Sequence, residues 1–175
     1  RGLAPHQGSV LLHDGVTGQL TAVLNASPVT EIRTAAVSAV ATKLLARPGS
    51  RTVAVLGSGV QGRSHVHAMQ TVLHDPIIRI WSRRPAHAEA LALETHSLVA
   101  ESVEEARDGA DIVCTTTAAH EPILRLAWLA PGTHVNAAGA SVRGARELDA
   151  ETVAAGSLFV DRRESVLNES DEYLA

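Results

Sequence analysis

From residue 51 onward, short apolar runs without polar alternation take turns with segments of helical period. The runs are Val53-Ala54-Val55-Leu56, Ile77-Ile78-Arg79-Ile80-Trp81, Leu98-Val99-Ala100, Ile112-Val113-Cys114-Thr115-Thr116, Thr133-His134-Val135-Asn136-Ala137 and Leu158-Phe159-Val160-Asp161. Each has the length and β-branched character of a strand covered on both faces. Between them, Gly62, Val66, Met69 and Leu73 recur at helical spacing, and Pro85 opens a helix that runs to Glu94. A short helix spans residues 103–108 and stops at Gly109, and another spans 149–155 and stops at Gly156. Such alternation predicts a parallel, doubly wound sheet with right-handed crossovers.

The first 49 residues follow another pattern. Residues 9–13 and 19–24 read as two strands of a hairpin, joined through the turn formers Asp14-Gly15-Val16-Thr17-Gly18. Ser27-Pro28 then offers a hydroxyl N-cap and a proline at the first helical position, with Glu31 in the opening turn. The long helix that follows carries an apolar stripe of Val29, Ile32, Ala36, Val40 and Leu44 and ends at Pro48-Gly49. Arg33 sits at the edge of this stripe near the positive end of the helix, where a cation does not complement the dipole. Its reading is either an anion site or a solvated surface arginine.

Candidate chemistry centres on the junction after the first parallel strand, where Gly57-Ser58-Gly59-Val60-Gln61-Gly62 has the spacing of a dinucleotide-binding turn. Gly57 permits the tight turn, Gly59 lets the backbone approach a pyrophosphate, and Gly62 lets the next helix pack closely on its strand. The helix start then presents N–H groups and the positive dipole end to phosphate. With the correct strand and helix on either side, the expected architecture is α/β: a Rossmann-type doubly wound parallel sheet with part of a second α+β domain at the N-terminus. The expected division is 1–49 for the hairpin and long helix, 50–163 for the dinucleotide domain, and 164–175 for the start of a return to the first domain.

The end of the second parallel strand distinguishes the two nicotinamide dinucleotides, because an acid there binds a ribose hydroxyl whereas arginine meets a 2′-phosphate. Here it reads Trp81-Ser82-Arg83-Arg84, with no acid. Ser82 can hydrogen-bond, and Arg83 and Arg84 supply charge and bidentate geometry, so NADP(H) is expected in preference to NAD(H). The alternative is an arginine pair on a solvated helix start. Thr115, Thr116 and Thr117 close the fourth strand, where their hydroxyls, those of Thr115 and Thr117 above all, could face ribose or nicotinamide; the alternative is ordinary strand composition.

Composition narrows the partners. A net charge of -4 and the absence of a basic run argue against nucleic acid. No apolar run reaches membrane-spanning length, and a single cysteine fits a reducing compartment, so a soluble cytoplasmic protein is expected. The 9 histidines include no set at zinc-ligand spacing, and no metal is expected. The loop at His120-Glu121 reads as solvated.

Five stretches resemble the ornithine cyclodeaminase and mu-crystallin family. They are Arg33-Thr34-Ala35-Ala36-Val37-Ser38-Ala39, Leu56-Gly57-Ser58-Gly59-Val60-Gln61, Ile80-Trp81-Ser82-Arg83, Glu121-Pro122-Ile123-Leu124, and Asn136-Ala137-Ala138-Gly139-Ala140-Ser141 with Arg146-Glu147-Leu148-Asp149. They run in order over nearly the whole chain, and their detail is closer to the mu-crystallin branch. The resemblance implies a homodimer built through the mixed N-terminal domain, Arg33 on the substrate carboxylate and His6 on the cofactor. It also implies a lysine upstream of Arg1, so the chain is expected to be truncated at both ends. Cyclodeaminases place an acid where this chain has Ser141.

That difference bears on the reaction. Deaminating cyclisation needs a base to move protons, a role suited to a carboxylate, whereas serine can only hydrogen-bond a substrate nitrogen. Reduction of a protonated cyclic imine asks less, since the C=N carbon is already electrophilic and orientation is the protein's main contribution. The expectation is an NADPH-dependent reductase of cyclic ketimine carboxylates, with a small imino or amino acid as substrate and Arg33 and Ser141 at the reacting end. Two alternatives stand beside it: an ornithine cyclodeaminase or other amino-acid dehydrogenase, and a non-catalytic protein that binds thyroid hormone together with NADPH or serves as a lens crystallin.

Overall fold

A computed structural model describes residues 8–140 and 144–169. In chain order the elements are strands β1 (Ser9–His13) and β2 (Leu20–Asn25), helix α1 (Ala26–Leu45), β3 (Thr52–Leu56), α2 (Val60–Val72), β4 (Ile77–Trp81), α3 (Pro85–Thr95), β5 (Leu98–Val99), α4 (Val103–Arg107), β6 (Ile112–Thr115), β7 (His134–Ala137), α5 (Ala150–Ala155) and α6 (Arg163–Glu169). β1 and β2 form an antiparallel hairpin of their own, while the other strands make a parallel sheet in the order β5-β4-β3-β6-β7. Chain direction across the sheet reverses between β3 and β6. That is the switch point beyond which ligands of such sheets lie.

Alternate residues of β3 face opposite ways. Val53 and Val55 join Val66 and Met69 of α2, Ala88, Leu91 and Ala92 of α3 and Ala39 of α1 in one core. Ala54 and Leu56 join Val103 and Ala106 of α4, Leu124 and Leu148 in the other. All four β3 side chains are fully buried, which is why the strand reads as an unbroken apolar run.

Three expectations are corrected. The long helix is capped by Asn25, whose side chain accepts from the Ser27 backbone N–H, so Ser27-Pro28 lies inside the first turn and Glu31 lies beyond it. Asparagine caps as well as serine, and proline is harmless where the N–H has no helical partner. Second, the stripe Val29, Ile32, Val40 and Leu44 is exposed, and α1 buries Ala35, Ser38, Ala39 and Thr42 instead. Small side chains let α1 approach α2 closely and leave the larger ones outside. Third, residues 158–161 form no strand, and Leu158, Phe159 and Val160 are exposed without a pairing partner among the described residues.

Candidate active site

β3 ends in a turn with no spare room. Gly57 has φ +119°, and a Cβ there would stand 2.6 Å from the Thr116 hydroxyl and 2.9 Å from its carbonyl oxygen. Thr116 itself donates its hydroxyl to the Leu56 carbonyl at 3.1 Å, tying the exits of β3 and β6 together at the switch point. A Cβ at Gly62 would overlap the Gly57 carbonyl, so α2 starts as close to the turn as backbone allows. Gly59, by contrast, faces open space and caps α2 with no side-chain hydrogen bond. The first N–H groups of α2, including those of Val60 and Gln61, are thus left without a side-chain cap. An uncapped helix start beside an open glycine fits the pyrophosphate of a dinucleotide.

The turn is linked to the end of β4 by the Ser58 hydroxyl, which donates to the Ser82 hydroxyl at 2.9 Å. Arg83 and Arg84 follow directly and are exposed. Thr115 is fully buried, and its hydroxyl has no hydrogen-bond partner among the described residues. The Thr117 hydroxyl donates to Glu147 at 2.7 Å. His6 and Ser141 lie outside the described residues. His120 is exposed, as a solvated loop requires, and its Nδ1 donates to the Gly144 carbonyl at 2.6 Å.

α1 runs along α2 through polar contacts that start at the cofactor turn. The Gln61 side-chain amide donates to the Thr30 carbonyl at 3.4 Å, and the Ser64 hydroxyl donates to Glu31 at 3.0 Å. Arg33, one turn further along α1, is exposed and has no ion-pair partner among the described residues. Deeper in the seam, the fully buried His65 places Nδ1 2.7 Å from the Gln61 carbonyl and Nε2 2.9 Å from the Ser38 hydroxyl. A carbonyl can only accept, so Nδ1 carries the proton and Nε2 accepts from Ser38. At the far end of the seam, the Asn136 amide of β7 donates to the Thr42 hydroxyl at 2.9 Å.

Burial holds the His65 pKa below the ordinary histidine range, against the opposing pull of the Gln61 carbonyl. Burial acts the same way on His134, opposed by Asn136. Cys114 is pushed up to about 12 by burial, which removes it as a nucleophile at neutral pH. Because an unfolded chain protonates its histidines near 6.5, it takes up more protons than the folded chain below that pH. Stability is therefore fully present above this value and falls as pH drops through it, with a limiting slope of about 1.4 kcal/mol per pH unit for each histidine. Thermal melts across this range should show a shallower decline in His65→Gln than in the parent. Equal slopes would refute the assignment to His65.

Sequence reasoning gave no role to Ser38, His65 or Glu147, and did not foresee that the Thr116 hydroxyl ties β6 to β3. Ser38 and Glu147 stood only inside stretches that carry the family resemblance. The family model of ornithine cyclodeaminase/mu-crystallin matches residues 1–173. The chain belongs to this family. Among its relatives, the ketimine reductase mu-crystallin of Mus musculus is 46% identical over 171 residues, which is 97% of this chain and 55% of that protein. The Delta(1)-pyrroline-2-carboxylate reductase of Paracoccus denitrificans is 37% identical over 99% of this chain and 57% of its own length. The structure of the Thermococcus litoralis Delta(1)-pyrroline-2-carboxylate reductase with NADH and L-proline superposes with a TM-score of 0.90 at 36% identity, covering 99% of this chain and 55% of that one. This member of the family thus spans about half the length of the curated relatives that it matches. Among its described residues, no helix is long and apolar enough to cross a membrane.

Proposed function

We propose that the protein reduces the C=N bond of a cyclic ketimine carboxylate to a cyclic amino acid, using NADPH. The observation that carries the reading is Arg33, an exposed arginine without an ion-pair partner among the described residues, on a helix hydrogen-bonded to the first turn of α2. Its guanidinium would take the substrate carboxylate in two parallel hydrogen bonds and so fix the imine carbon. Ser141 would hydrogen-bond the imine nitrogen, whose proton makes the carbon electrophilic. NADPH, when bound, supplies the hydride; the turn at Gly57, Ser58, Gly59, Val60 and Gln61 would hold its pyrophosphate, with His6 and Thr117 toward the rest of the cofactor, whereas the fully buried Thr115 has no surface to offer it. The reductase names and the NADH and L-proline of the relatives support the reaction class.

The choice of NADPH rests on this chain's own Ser82, Arg83 and Arg84, since the Thermococcus relative was captured with NADH. Mixing the protein with NADPH and a cyclic imine acid should consume the reduced-nicotinamide absorbance. Replacing Arg83 and Arg84 together by alanine should raise the KM for NADPH about 10- to 100-fold and leave that for NADH nearly unchanged. An equal change for both cofactors would show that the arginines do not meet a phosphate. Ammonia release from ornithine would favour a cyclodeaminase, and tight hormone binding with no turnover a carrier. The exposed apolar side chains of the hairpin and α1, including Val23, Ile32, Val40 and Leu44, support a homodimer formed through this N-terminal part, which the mass in solution tests.

A further inference from the structure

Glu147 is a carboxylate with no exposed surface. Burying an acid is costly unless its oxygens are hydrogen-bonded, and here both are. Oε1 accepts from the Thr117 backbone N–H at 2.6 Å and from the Thr117 hydroxyl at 2.7 Å. Oε2 accepts from the Gly139 backbone N–H at 2.8 Å. The Glu147 carbonyl in turn accepts from the N–H groups of Ile123 and Leu124 at 2.8 and 3.0 Å. One residue thus joins the chain just past β6, the chain just past β7, and the segment that leads to Leu124.

The place of these exits matters. The glycine turn after β3 suits the pyrophosphate, and the end of β4 suits the adenosine side. The nicotinamide half is then left with the carboxyl ends of β6 and β7, across the switch point. Thr117 and Gly139 each stand two residues beyond those strands, and Ser141 follows Gly139 by two.

We propose that Glu147 is a positioning residue for hydride transfer: its carboxylate fixes, at Thr117 and Gly139, the two strand exits that border the nicotinamide. The inference deepens the imine-reductase reading and rests on it. Glutamine would not replace this acid. Each carboxylate oxygen faces a backbone N–H, so an amide would turn its NH2 toward one of two donors, losing that bond and adding a repulsion at nearly unchanged volume.

The test compares the protein with Glu147→Gln, using NADPH and a cyclic imine acid. The adenosine and pyrophosphate contacts are untouched, so NADPH affinity should stay within about threefold, and the KM of the imine, set by Arg33, should move little. The value of kcat should fall about 10- to 100-fold, as expected for a reacting pair displaced by a fraction of an ångström to an ångström. The fluorescence emission of bound NADPH should change with it. Thr117→Val removes the hydroxyl bond to Glu147, together with the bond that this hydroxyl accepts from the Ala119 N–H, and should lower kcat about 3- to 10-fold, which keeps the test open where Glu147→Gln fails to fold. A kcat within twofold of the parent, or losses of NADPH affinity and kcat in proportion, would overturn the proposal and leave Glu147 a purely structural residue. Were the parent to reduce no imine, the functional reading would fail, while an unchanged NADPH emission in Glu147→Gln would separately overturn the role of Glu147.

Discussion

Replacing Arg33 by leucine is expected to lower kcat/KM for a cyclic imine carboxylate about 10²- to 10⁴-fold, because two charge-assisted hydrogen bonds of about 1.5–3 kcal/mol each are lost. The guanidinium is exposed and has no ion-pair partner among the described residues, so the protein itself loses little when it is removed. The melting temperature and the NADPH affinity should therefore stay near those of the parent. Lysine at the same position keeps the charge and loses the fork, and should recover only part of the activity. A steady-state loss below about tenfold in Arg33→Leu would remove Arg33 from the substrate site, since even one charged hydrogen bond is worth more than that.

The second large effect is expected from the glycine turn, where two substitutions of the same kind should behave differently. In Gly62→Ala the new methyl group meets the Gly57 carbonyl, a backbone atom that cannot step aside. Gly57 is held by its N–H to the Trp81 carbonyl at 2.8 Å and by its packing on Thr116. The overlap should cost about 1–3 kcal/mol, lower the melting temperature by about 3–10 °C and weaken NADPH binding through displacement of α2. In Gly59→Ala the methyl group meets nothing within 4 Å, so the fold should melt as the parent does. NADPH binding should still fall, because that methyl group stands where the pyrophosphate must approach. Calorimetry with and without NADPH checks both. Intact cofactor affinity in Gly59→Ala would move the phosphate site away from this turn.

The parallel-sheet part of the molecule was readable in the sequence because its determinants are adjacent along the chain. The apolar run of β3, the three glycines and the helical period after them occupy one short stretch, and each fixes its neighbour's conformation. The position of Arg83 and Arg84 just past the end of β4 was legible for the same reason. α1 shows where such reading stops. Periodicity reveals which face of a helix is apolar, yet not which face another element covers, and the covered face turned out to be Ala35, Ser38, Ala39 and Thr42. At residues 158–161 an apolar run had no strand to pair with, and pairing is a property of the neighbour.

The amino-acid sequence by itself thus determined the α/β alternation, the glycine turn between β3 and α2 and the family, all of which are set by residues close in the chain. Tertiary structure alone decided that Ser58 reaches Ser82, that Ser38 reaches His65, and that Glu147 gathers Thr117 and Gly139. The physical reason is separation: these partners stand 24, 27, 30 and 8 residues apart, and only the packing of the sheet and its helices brings their polar atoms within hydrogen-bonding distance.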